Sequence, residues 1–269
     1  MLVTHALLAP HLPTLPVDEH RGHRTPMLEA LAERGRRLAA EAPSILVVLS
    51  ARWDSDGPFR VDVSPRHATL TDYGGFGVEV RYDCPGHPAL ARALVEAGDR
   101  AGVRVGATQR GVDSGVTVPL HFLCPRAIVP VVPLSLARRP ATECRSWGAV
   151  IRSVLQARPE RIAFIVGGLL SHALHAWNLG REVPEARAFD AHALRALGAG
   201  AWEDLRGDDP ALVERAQPEA DLRHLEVLRG FLGENVQGQL LCYEEDHGMG
   251  AALVDFEIRE REPATRRPG

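Results

Sequence analysis

The chain has 269 residues, 45% of them hydrophobic and 25% charged, enough for a sizeable core and close to the balance of soluble globular proteins. Its 31 basic residues, all arginine, face 35 acidic ones, for a formal net charge of −4, which argues against a dedicated nucleic-acid binder. The absence of lysine excludes a P-loop lysine, a Schiff-base lysine and a pyridoxal-phosphate enzyme together.

The N-terminal stretch MLVTHALLAPHLPTLP has no basic region and is interrupted by His5, His11 and prolines, so no signal peptide is expected. No run approaches 18 apolar residues, so no membrane span is expected. Cys84, Cys124, Cys144 and Cys242 form no CxxC pair, which fits a reducing cytoplasm better than a zinc ribbon or dithiol site.

In chain order, Leu2 to Ala9 predicts a buried strand that ends at Pro10. Thr25 and Pro26 open a helix, the first as N-cap and the second as first helical residue. Ser44 to Ala51 is apolar and rich in β-branched residues, as a strand covered on both faces should be. Phe59 to Val63 and Gly77 to Tyr82 alternate and predict a side hairpin. Pro88 to Ala101 and Ala141 to Ala157 predict helices, with a buried strand over Ala127 to Leu136 between them. Ile162 to Val166 predicts a further buried strand, followed by helices over Glu185 to Leu197 and Pro218 to Leu232. Gly238 to Tyr243 and Ala251 to Ile258 predict a closing hairpin around the acidic turn Glu244 to His247. Strands alternating with helices imply an α/β fold: one domain over 1–258, its largely parallel or mixed central sheet flanked by helices on both faces. Residues 259–269, charged and proline-containing, are expected to form a flexible tail.

Ligands in such sheets bind beyond the carboxyl ends of the strands. That rule points to His11, Arg52 and His172. His11 sits among prolines that present its imidazole rigidly, either as a metal ligand or as a cap on backbone groups. His172 follows the small residues Gly167 and Gly168 and can serve as acid or base near neutral pH, or close a plain strand-to-helix turn. Asp113 and Ser114 lie in a polar turn ahead of an apolar run, either a substrate loop or an ordinary turn. Asp221 and His224 are three apart on a predicted helix and share a face, with Glu219 nearby; a carboxylate there could complete a metal site, or the face is simply solvated.

Five segments in order resemble the class III extradiol ring-cleavage dioxygenases, the LigB-type family of the protocatechuate dioxygenase β subunit. They are PHLP at Pro10, ILVVLSARW at Ile45, GHPALARALVEA at Gly86, VDSGVTVPL at Val112 and GGLLSHAL at Gly167. The resemblance implies ferrous iron held by two histidines and a carboxylate, a facial triad with open positions for an aromatic diol or aminophenol and O2. Carried over by position, it implies His11 as one metal ligand, Asp221 as the carboxylate and His172 as the acid/base. Two positions depart from the family pattern. Arg52 stands where the second histidine ligand belongs, and a guanidinium has no lone pair to give a metal. Ser114 stands where a histidine follows the aspartate. His224 is then a candidate third ligand, with His5 and His121 as others. Two expectations follow: a dioxygenase with a rearranged site, working as a homo-oligomer or with a related subunit, or a family member without catalytic iron that serves as a partner subunit or small-molecule binder.

Overall fold

The computed structural model describes residues 5–70, 78 and 80–258. Among them the chain runs β1 (His5–Ala9), α1 (Thr14–His20), α2 (Pro26–Glu41), β2 (Ile45–Ser55), β3 (Phe59–Asp62), β4 (Arg66–His67), β5 (Cys84–Pro85), α3 (Pro88–Arg100), β6 (Val105–Thr108), α4 (Ser114–Leu123) and β7 (Val131–Ala137). It continues with α5 (Ala141–Gln156), β8 (Ile162–Gly167), α6 (Leu174–Asn178), α7 (Pro184–Ala199), α8 (Pro210–Ala216), α9 (Arg223–Leu232), β9 (Gly238–Asp246) and β10 (Met249–Glu257), with short 3-10 turns at Trp202–Asp204 and Glu219–Leu222.

Eight strands form one mixed sheet in the order β6-β3-β7-β2-β8-β1-β10-β9. Its centre is parallel: β2 pairs with β7 on one side and β8 on the other, and β8 pairs with β1. The β9–β10 hairpin then extends the sheet antiparallel from β1. Alternate side chains of a strand point to opposite faces, and both faces here are apolar. Val47 and Leu49 of β2 join the layer under α3, α5, α7 and α9, with Trp147, Phe164, Phe189 and Phe231. Leu46 and Val48 join the opposite layer under α2 and α4, with Met27, Leu31 and Leu120. That double burial is why the central strands read as continuous apolar runs. Among the described residues no helix is long and apolar enough to cross a membrane.

Several expectations change. Thr25 caps α2 as anticipated, its side chain accepting from the Leu28 amide. The first strand is described only from His5, and residues 259–269 lie outside the described residues. The anticipated side hairpin does not form around Phe59: β3 pairs with β6 in parallel and touches β7 antiparallel. Gly77 and Glu79, in its anticipated second strand, lie outside the described residues. Residues 114–123 form a helix rather than a turn, because Asp113 caps it by accepting from the Gly115 amide. The helix anticipated over Pro218 to Leu232 is broken: Ala220, Asp221 and Leu222 all take left-handed backbone angles before α9 begins.

Candidate active site

The carboxyl ends of β1, β2 and β8 and the 3-10 turn at Glu219–Leu222 meet on one side of the sheet. His11, just past β1, is 3% exposed, and its Nε2 lies 2.8 and 3.0 Å from the two carboxylate oxygens of Glu219. Glu219 is 4% exposed. Its Oε2 also accepts from the Leu169 amide at 2.6 Å, and its own amide donates to the Leu170 carbonyl at 2.9 Å. The strand-end loop after β8 therefore grips this carboxylate through both main chain and side chain. Burial pushes the Glu219 carboxyl upward, but the opposing charge and hydrogen bond of His11 outweigh it, so the group stays well below the usual carboxylate range.

His172 Nε2 lies 4.0 Å from Glu219 Oε1. Burial drives the His172 pKa down; the Glu219 charge opposes this, while His11 and Arg52 reinforce it. Together these effects favour the neutral imidazole at His172. The loop bearing it is anchored by a buried carboxylate on α7: Asp190 accepts from the Ser171 amide at 2.9 Å and from the hydroxyls of Ser171 and Tyr243, both at 2.8 Å.

His224, at the start of α9, is fully buried against the loop after β8. A side chain on Gly168 would come within 2.6 Å of its ring, so only glycine leaves it room. Among the described residues both ring nitrogens of His224 lack a hydrogen-bond partner, while the nearby Leu169 backbone favours the charged ring. Burial lowers its pKa to about 4, against the pull of Glu219. A buried polar atom without a partner is costly; here two such atoms sit beside a buried carboxylate.

The carboxylate that meets His11 is Glu219, and Asp221 is not in the pocket. The Asp221 side chain is 70% exposed and pairs with Arg206 at 2.7 Å. Asp221 and His224 do not share a helix face, because the left-handed residues 220–222 interrupt the helix between them. Arg52 lies near the end of β2, exposed, where the β2–β7 register shifts between Ser50 and Asp54. Its charge reaches His172. Asp113 and Ser114 are buried beside the strand end and act on the framework. Asp113 accepts from Ser50 Oγ at 2.7 Å and from Arg110 at 2.6 Å, fixing α4 to β2. His5 is engaged by Asp255 at 3.0 Å and His121 by Glu19 at 2.5 Å.

Among the described residues no group of three or more His, Cys, Asp or Glu side chains is spaced to hold a metal ion as it stands. The direct His11–Glu219 bonds draw two candidate donors together. The donor chemistry nonetheless fits a divalent cation. An anionic carboxylate, the His11 ring bonded to it and buried His224 within electrostatic reach of both make an imidazole–carboxylate set of the kind that suits ferrous iron.

Residues 5–254 match the family model described as the catalytic LigB subunit of aromatic ring-opening dioxygenase. The chain belongs to the LigB family. Among its relatives are proteins named 4,5-DOPA dioxygenase extradiol: that of Beta vulgaris is 26% identical over 253 residues, 88% of this chain and 90% of the relative, and that of Portulaca grandiflora is 28% identical over 80% and 82%. The protein named dioxygenase tasH of Hapsidospora irregularis is 28% identical over 88% of this chain and 71% of its own length. The crystal structure of an uncharacterized protein from Escherichia coli K12 superposes with a TM-score of 0.71 at 21% identity, over 94% of this chain and 99% of that one, and shows that the α/β fold is shared.

Proposed function

We propose that this LigB-family chain is a non-haem iron extradiol dioxygenase that opens an aromatic diol with O2 in the cytoplasm, acting as a homo-oligomer or beside a related subunit. The observation that carries the reading is the convergence of a buried, anionic Glu219 with His11, His172 and His224 at the carboxyl ends of β1 and β8. The names of the extradiol relatives support the same activity.

His11, Glu219 and His224 would hold the metal, the cation taking the place of the His11–Glu219 hydrogen bonds and satisfying a His224 nitrogen. Ferrous iron in such a triad brings the diol and oxygen together and carries electrons between them. The protein's own residues do the rest. His172, whose burial favours the neutral imidazole, accepts the proton of a substrate hydroxyl at a ring nitrogen and later returns it. The Leu169 amide fixes Glu219 so that its charge faces the pocket. Exposed Arg52, with no ion pair or hydrogen bond among the described residues, offers a guanidinium to an acidic substituent of the substrate or to a phenolate.

Anaerobic reconstitution with ferrous iron tests this, followed by oxygen uptake with catechol, protocatechuate, DOPA and 2-aminophenol. One iron per chain with substrate-dependent uptake supports the reading. A second reading, a family member that binds an aromatic ligand without iron, is favoured by Arg52 standing where the family resemblance puts a histidine ligand; ligand binding with no iron retained would establish it instead.

A further inference from the structure

We propose that Arg223 and Asp54 are positioning residues that lock the turn after Glu219 and thereby hold its carboxylate against His11; this rests on the reading of that pocket as the reactive centre. The turn is unusual in itself. Ala220 (φ 48°), Asp221 (φ 55°) and Leu222 (φ 58°) are three successive non-glycine residues in the left-handed region. L-residues enter that region at a cost and normally singly. Such strain persists only where the surroundings over-determine it, and it gathers at functional sites.

Two arginines do the holding. Arg223 spans from the turn to the far end of β2, with Nη1 and Nη2 each 3.0 Å from the two Asp54 oxygens. Its Nε donates at 2.7 Å to the Ala220 carbonyl, inside the turn. Arg206 donates at 2.6 Å to the Asp221 carbonyl. A bidentate guanidinium–carboxylate pair fixes orientation as well as distance, which a lysine could not do. Asp54 resumes the β2–β7 ladder just after the irregular stretch that carries Arg52. One ion pair therefore couples the strand end with Arg52 to the turn with Glu219 and, through the next residue, to His224. Arg138 also reaches Asp54, at 3.1 Å from the solvent side, but touches nothing in the turn.

The Leu169 amide reads the carboxylate position directly, since it donates to Glu219 Oε2. In Arg223→Met and in Asp54→Asn, its hydrogen exchange should speed up at least about tenfold relative to the Phe164 and Ile165 amides of β8, with ferrous iron affinity in anaerobic dialysis falling by a similar factor. Arg138→Ala should leave the Leu169 amide unchanged. Ala220→Gly supplies a residue at ease with positive φ, so Arg223→Met should cost less in that background. Unchanged Leu169 exchange, an equal rise across β8, or an equal cost in the Ala220→Gly background would each overturn the proposal. A wild-type protein that holds no iron would refute the functional reading while the Leu169 result still decides the clamp.

Discussion

His11 and Glu219, 208 residues apart, share two short contacts of 2.8 and 3.0 Å, and both side chains are almost closed to water. The partner of His11 is thus a glutamate two residues before the exposed aspartate to which positional matching pointed. Glu219→Gln keeps the shape and removes the charge. It should reduce ferrous iron retention more than tenfold and abolish substrate-dependent oxygen uptake. Asp221→Asn should leave both unchanged, because that side chain faces solvent and Arg206. Iron titration of the two variants side by side checks the assignment.

Arg52 gives a second prediction. Arg52→Ala should raise the KM for protocatechuate several-fold while leaving that for catechol, which lacks a carboxylate, within about twofold, since one exposed charge pair contributes about 1 kcal/mol at most. Arg52→His should leave iron affinity within about twofold, because His11, Glu219 and His224 would supply the ligands and residue 52 is exposed. Steady-state oxygen uptake and anaerobic dialysis measure the two effects separately.

Asp190 makes stability depend on pH. Burial raises its pKa from 3.8 to about 6, although Ser171 and Tyr243 hydrogen bonds pull the other way. The folded protein therefore binds this proton more tightly than the unfolded chain. The resulting stability is fully present below pH 3.8 and is lost as pH rises through about 6, by about 3 kcal/mol in all. Asp190→Asn should remove that slope. The Asn oxygen can accept the Ser171 amide, and its NH2 can donate to the two hydroxyls once they rotate. Urea unfolding of both proteins between pH 4 and 7.5 provides the comparison; parallel curves would contradict this placement of the proton.

Gly167 ends β8 where α4 crosses it. A Cβ there would overlap the carbonyl of Gly115 on that helix. Backbone cannot swing aside as a side chain can, so Gly167→Ala should destabilise the fold by about 3 kcal/mol and loosen the loop that leads to Leu169 and His172. Thermal unfolding checks the first effect, and the KM of the iron-loaded enzyme the second.

Read from residue order alone, the central strands, the capped helix after Thr25 and the closing hairpin were legible because burial periodicity and capping are local. So were His11 and His172, each fixed just past a strand end. Helix α4 is hidden in the sequence because Ser114, Gly115, Thr117 and Pro119 look like a loop; the cap by Asp113 and burial on all sides make it a helix. Glu219 stands beside Pro218 only two residues from Asp221, and matching by position to the family pattern picks out Asp221 instead.

Chain order and composition determined the lineage, the α/β class and two of the histidines, since apolar periodicity and strand-end motifs are carried by neighbouring residues. Only the folded chain decided which carboxylate faces His11, that His224 is sealed inside without a partner, and that Arg52 remains at the surface. The first two outcomes lie on either side of a left-handed turn tied to β2 by an ion pair between residues 169 positions apart, and no local pattern encodes a contact across that distance.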